Sequence, residues 1–196
     1  MNFFEVFDFP RKLGIDAAEL QRRFYALSRE HHPDFHQGAP AEEQARALEA
    51  SARVNAAYRA LRDPIARVEY LVRLEEGRET KEGDTVKPKA PPELLAEMFE
   101  IREVLQDARM DGLDDAARAT LAEQRTRLAE RQTAEEARIT GALSAAWDAA
   151  SAEERPKLIA TFKDALACRA YLRTVIDDLT EALGGTEEGH VTHRRH

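Results

Sequence analysis

The stretch REHHPDFHQG, residues 29 to 38, gathers His31, His32, Asp34 and His36 around Pro33. Imidazoles and a carboxylate could ligate zinc or non-haem iron, move protons as acid and base, or form a surface that another protein reads. The spacing argues against a metal. Adjacent helical histidines point about 100° apart and Pro33 fixes the turn, so no pair repeats the i, i+4 arrangement of a helical zinc site. Acid–base catalysis needs a pocket, and the flanks offer no glycine-rich phosphate loop, no serine or cysteine in a nucleophile setting and no second carboxylate set in apolar surroundings. The single cysteine, Cys168, excludes an internal disulfide and any site built from several thiolates. No enzymatic role and no bound cofactor or metal are expected.

The elements that must position this loop read as helices. Phe3 and Phe7, with Phe4 and Val6, suit a short helix stopped by Pro10. Asp16 followed by Glu19 makes a capping-box-like start, after which Leu20, Phe24 and Leu27 form one face and Arg22, Arg23 and Arg29 another. This helix should end near His32, because Pro33 restricts the residue before it and has no N–H to donate. A second long helix is expected from Pro40 or Ala41, with Leu48, Ala52, Val54, Tyr58 and Leu61 as its apolar positions, and a third begins at Pro64. These elements define a helical unit over residues 1–76.

Residues 77–92, rich in charge, glycine and proline, read as a linker. Beyond it, PELLAEMFEIREVLQDARM starts a helix broken at DGLDD, and a long helical stretch follows from about 114 to 149. In the last helix, about 152 to 183, Leu158, Phe162, Ala165, Leu172, Ile176, Leu179 and Leu183 form a seam interrupted only by Arg169. Gly184 and Gly185 should stop it, leaving a polar tail over 185–196. The fold class is therefore all-α, with an N-terminal helical unit and a C-terminal, coiled-coil-like three-helix bundle over 93–184.

Composition agrees: 43% of the 196 residues are hydrophobic and 34% charged, with no period-2 alternation. A net charge of -8 argues against nucleic-acid binding through the overall field. No run approaches the roughly 18–20 apolar residues of a membrane span, and MNFFEVFDFP lacks the basic start of a secretory signal, so a cytoplasmic protein is expected.

The His-Pro-Asp tripeptide lies between two amphipathic helices, follows a basic helical face and a short aromatic helix, and precedes VNAAYRALRDPIARVEYL. In that order the features resemble a J-domain. NFFEVFDFPRKLGID, LQRRFYALSREHHPDF, VNAAYRALRDPIARVEYL and PPELLAEMFEIREVL further resemble the HscB (Hsc20) family of co-chaperones in iron–sulfur cluster assembly, over about residues 2 to 183.

The resemblance implies a J-domain that stimulates a DnaK/HscA-type heat-shock ATPase through His32, Pro33 and Asp34, with Arg22, Arg23 and Arg29 meeting an acidic surface on it. Phe35 stands where relatives often have lysine. It also implies that the second unit binds an iron–sulfur cluster scaffold of the IscU type through Leu95, Ala96, Phe99, Glu100, Glu103 and Tyr171. Ala96 stands where relatives often have a larger apolar residue. Spacing leaves open whether Leu95 and Phe99, or Leu94, Met98, Ile101 and Leu105, form the buried face of that helix. A monomer is expected. The alternatives are a J-protein with a different client and a histidine-rich metal-binding helical protein.

Overall fold

The computed structural model describes residues 1–78, 92–111 and 113–191; within its helices the side chains of 92–94, 96, 107–111 and 185–191 fall outside the described set. Every regular element among these residues is helical. The described residues of Met1–Asp84 join Ile139–Phe162 in one compact unit, and those of Thr85–Arg138 join Lys163–His196 in a second. The linker expected over 77–92 lies almost wholly outside the described residues.

The first unit begins with α1 (Phe3–Val6), closed by a capping box in which Asn2 and Glu5 serve each other's backbone N–H. Asp8, at φ 53°, reverses the chain after it, and the Phe9 N–H reaches the Phe4 carbonyl at 2.9 Å. Asp16 caps α2 (Ala17–Glu30) by accepting from the Ala18 and Glu19 N–H groups. A single 3₁₀ turn, Pro33–His36, leads to α3 (Ala41–Arg62), and Asp63 with Pro64 opens α4 (Pro64–Glu75). Gly77, at φ 67°, ends α4 in the left-handed conformation, where its missing Cβ removes the steric penalty.

Phe4, Phe7, Leu20, Val54, Ala57, Leu61, Val68 and Leu71 are buried in this unit, and Phe24 stacks on Tyr58 at 4.0 Å. Two of the expected α3 positions turn out otherwise. Leu48 is 61% exposed and Ala52 is exposed, because the face fixed by Val54, Ala57 and Leu61 runs back to Ala47 and leaves residue 48 a step of about 100° away.

The segment 139–162, placed by its sequence with the second bundle, belongs to the first unit. A π turn, Ile139–Leu143, carries the chain into α7 (Ser144–Ala149), with the Ser144 hydroxyl donating to the Ile139 carbonyl at 2.7 Å. Trp147 is fully buried and its indole N–H donates to the Arg11 carbonyl at 3.3 Å. The Asp148 carboxylate accepts from the Leu13 and Gly14 N–H groups, both at 2.7 Å. A Cβ on Gly14 would lie 2.9 Å from that carboxylate. From the other side the buried Arg67 guanidinium donates to the Leu61 and Leu13 carbonyls. Burial pushes the Arg67 pKa down, and the nearby carboxylates of Asp63 and Asp148 oppose that shift. Residues 11–14 are thus held between α4 and α7.

The second unit contains α5 (Pro92–Asp111), α6 (Asp115–Arg138) and most of α8 (Arg155–Val191). Met98, Ile101, Leu105, Leu121, Leu128, Leu172, Val175 and Leu179 form its buried cluster. Arg169, which interrupts the apolar seam, meets Glu136 at 2.7 Å and so keeps its charge paired. Helix α8 does not stop at Gly184–Gly185 but continues to Val191. Each glycine costs about 1 kcal/mol relative to alanine inside a helix, and neither takes the left-handed conformation that would end one.

Candidate docking surfaces

The loop after α2 is rigid by construction. His31 caps the helix, its N–H reaching the Leu27 carbonyl at 3.0 Å, and Pro33 then sets the backbone of the following turn. His32 Nδ1 accepts the Asp34 N–H at 3.3 Å, which in the neutral ring places the proton on Nε2, where it is available to a partner. His36 ties the far end down: its Nε2 lies 3.0 Å from the Glu30 carbonyl and its Nδ1 3.6 Å from the Glu43 carboxylate. Gln44 adds bonds to the Gln37 and Ala39 carbonyls. The His36 contact with α3 is tertiary and left no local signal in the sequence.

His32, Pro33 and Asp34 all stand exposed. Among the described residues the Asp34 carboxylate meets only Gln37, at 3.3 Å, and His32, at 3.6 Å. No lysine or arginine among the described residues lies beside it, which leaves its acceptor sites open to an incoming guanidinium. Phe35 is 71% exposed, its ring edge-on to His32 with centroids 5.9 Å apart.

The three arginines of α2 differ in their surroundings. Arg22 is exposed and bidentate on Glu19, at 2.8 and 2.6 Å. Arg23 is turned inward: it donates to the Phe7 carbonyl at 2.5 Å, the Asp8 carbonyl at 2.9 Å and Glu19 at 2.6 Å, and lies 4.4 Å above the Phe9 ring. The hydrogen bonds from Arg22 and Arg23 hold the Glu19 carboxyl down at about 2. Arg29 is exposed, has no ion-pair partner among the described residues and lines an open depression with Tyr25 and Ala26.

In the second unit, burial separates the two faces of α5. Met98, Ile101 and Leu105 enter the core, whereas Leu95 is 41% and Phe99 71% exposed, with Glu100 and Glu103 exposed beside them. The result is a small apolar surface edged by acid. Tyr171, on α8, is half-buried against the cluster containing Met98 and Leu172 rather than fully exposed. Ala96 lies on α5, with its side chain outside the described set.

Among the described residues no helix is long and apolar enough to cross a membrane, and no three His, Cys, Asp or Glu side chains are grouped to hold a metal ion. Cys168 is half-buried, and burial raises its thiol pKa.

The DnaJ domain family model matches residues 2–70, and the model of the HSCB C-terminal oligomerisation domain matches residues 90–155. The chain is 30% identical over 182 residues to a co-chaperone protein HscB homolog of Azoarcus sp. (strain BH72), covering 93% of this chain and 95% of the relative. It is 37% identical over 123 residues to the homolog of Bordetella avium (strain 197N), covering 63% and 70%. The crystal structure of human co-chaperone protein HscB superposes with a TM-score of 0.61 at 25% identity, over 92% of this chain and 81% of that one. Chaperone HscB from Vibrio cholerae has the same fold, with a TM-score of 0.50 over 97% and 98% of the two chains at 24% identity. Together, the J-domain match around an exposed His-Pro-Asp loop and the near-full-length similarity place this chain in the HscB co-chaperone family.

Proposed function

We propose that this chain is a non-enzymatic, cytoplasmic adaptor that stimulates a DnaK/HscA-type heat-shock ATPase and delivers an IscU-type iron–sulfur cluster scaffold to it, with no resident cofactor. The observation that carries the reading is the exposed, braced His32-Pro33-Asp34 turn, whose carboxylate pairs with no lysine or arginine among the described residues. Asp34 receives an arginine of the ATPase, His32 offers a donor beside it, and Pro33 keeps the ordering cost of docking low. Arg29 and Arg22 face the acidic surface of the ATPase, while Arg23 supports them by holding α1 against α2. The scaffold sits on Leu95, Phe99, Glu100 and Glu103, with Ala96 and Tyr171 at its edge. The support for that surface is the exposure of Leu95 and Phe99 on a helix whose opposite face fills the core.

The test is steady-state ATP hydrolysis by an HscA-type ATPase. Adding the protein raises the rate, and Asp34→Ala abolishes the rise with an unchanged helical circular-dichroism spectrum; an undiminished rise sinks the docking assignment. Titration calorimetry with the scaffold examines the client. Leu95→Ala with Phe99→Ala should weaken binding at least tenfold, and no heat from the wild type would point to a different client.

A further inference from the structure

The α2 surface is less basic than its arginines suggest. Arg22 is neutralised by Glu19, Arg23 is committed to the carbonyls of residues 7 and 8, and Glu30 adds a negative charge of its own, so the three arginines of α2 face two glutamates. Of these three arginines, Arg29 alone lacks an ion-pair partner among the described residues. Electrostatic attraction from this helix is correspondingly small and short-ranged, because exposed charges are screened within about 8–10 Å at ordinary salt. The chain as a whole, at -8, repels an acidic partner.

Large aromatic side chains stand out on α2 and on the turn that follows it. Tyr25 is 61% exposed and falls between Arg22 and Arg29 at i, i+3 and i+7, while Phe35, 71% exposed, directly follows Asp34. The Phe35 ring lies edge-on to His32 with centroids 5.9 Å apart and stays open to solvent. Met1 and Leu48 are also exposed in this unit, but neither belongs to α2 or its loop. Burial of one phenylalanine ring on binding is worth about 10- to 100-fold in affinity.

We propose that the heat-shock ATPase is held by an aromatic pair, Phe35 with Tyr25 in support, which enters an apolar recess beside the site that receives Asp34. This rests on the docking role of the His32-Pro33-Asp34 turn and deepens it: the turn carries the signal, and the aromatic side chains supply most of the affinity. The surface is continuous with the turn, since Phe35 lies within the same 3₁₀ element as Asp34 and its backbone is set by that turn.

The experiment uses the full chain and an HscA-type ATPase, and reads the half-saturating concentration and the plateau of stimulated hydrolysis at about 50 and 300 mM KCl. The wild type should change half-saturation less than threefold between the two salts, as expected where apolar burial dominates. Phe35→Ala should raise half-saturation at least tenfold and Tyr25→Ala about fivefold with the plateau intact, whereas Phe35→Leu recovers most of the loss and Phe35→Lys does not. Half-saturation within twofold of wild type for Phe35→Ala or Phe35→Lys, a tenfold salt effect on the wild type, or a lowered plateau for Phe35→Ala would overturn the anchor. A wild type without stimulation, or full stimulation by Asp34→Ala, would instead remove the docking reading, and the anchor with it.

Discussion

Arg23 and Arg29 lie on one helix and carry the same charge, yet the structure assigns them opposite consequences on removal. Arg23→Ala deletes charge-assisted hydrogen bonds to the Phe7 and Asp8 carbonyls and the guanidinium contact with the Phe9 ring. Hydrogen bonds to charged groups are worth about 1.5–3 kcal/mol each, and the ring contact about 0.5–1 kcal/mol. The Arg23 side chain is 31% exposed, so water recovers part of that, and a net loss of about 2–3 kcal/mol is expected. For a chain of this length each kcal/mol moves the melting temperature by about 2–4 °C, giving a fall of roughly 5–10 °C. Arg29→Ala, with nothing to release, should shift it by less than 2 °C. Thermal unfolding followed at 222 nm, with ATPase stimulation measured well below the transition, separates the two. Arg23→Ala then loses stability while stimulating close to normally, and Arg29→Ala does the reverse. A melting temperature unchanged by Arg23→Ala, with stimulation lost as in Arg29→Ala, would refute the assignment of Arg23 to structure and return it to the docking surface.

Three further outcomes follow from the described contacts. Asp148→Ala strips two backbone N–H groups and the buried Arg67 of a carboxylate and should cost about 2–4 kcal/mol; in that background Gly14→Ala, whose Cβ would crowd the same carboxylate, should cost far less than in the wild type, as a double-mutant cycle by urea unfolding will read. Glu19, with a folded pKa of about 2 against 4.5, contributes stability that is fully present above pH 4.5 and lost as pH falls toward 2; carboxyl chemical shifts should show its titration at the lower value, and a midpoint near 4.5 contradicts the double arginine clamp. Cys168, its pKa raised by burial, should react with a neutral alkylating reagent at pH 8 at least tenfold more slowly than in urea, and equal rates by mass spectrometry would contradict that.

Local chemistry made most of the helical boundaries readable. Pro33 and Pro64 mark where backbones must change, Asp16 announces a cap, and the burial of Leu121, Leu128, Leu172 and Leu179 follows the apolar spacing. What escaped was tertiary. Leu48 and Ala47 are equally plausible until the partner helix chooses between them. Arg23 resembles Arg22 in sequence and differs only because Phe7 and Asp8 lie within its reach. The glycine pair at 184–185 permits a helix end without requiring one. Nothing near Trp147 in the chain says that its indole answers a carbonyl at Arg11. Exposure of Leu95 and Phe99, which spacing left undecided, follows from Met98, Ile101 and Leu105 filling the core.

The carboxylate that holds residues 13 and 14 comes from a residue 134 positions after Gly14. During synthesis at roughly 5–20 residues per second, residues 1–76 therefore leave the ribosome about 4–14 s before Asp148 and Trp147 can close over them. In that interval Arg67 must carry its charge near a half-built interior, with Asp63 as the nearer of its two carboxylate neighbours along the chain. The contacts of the His32-Pro33-Asp34 turn lie within residues 30–44, so none of them needs the segment that closes last.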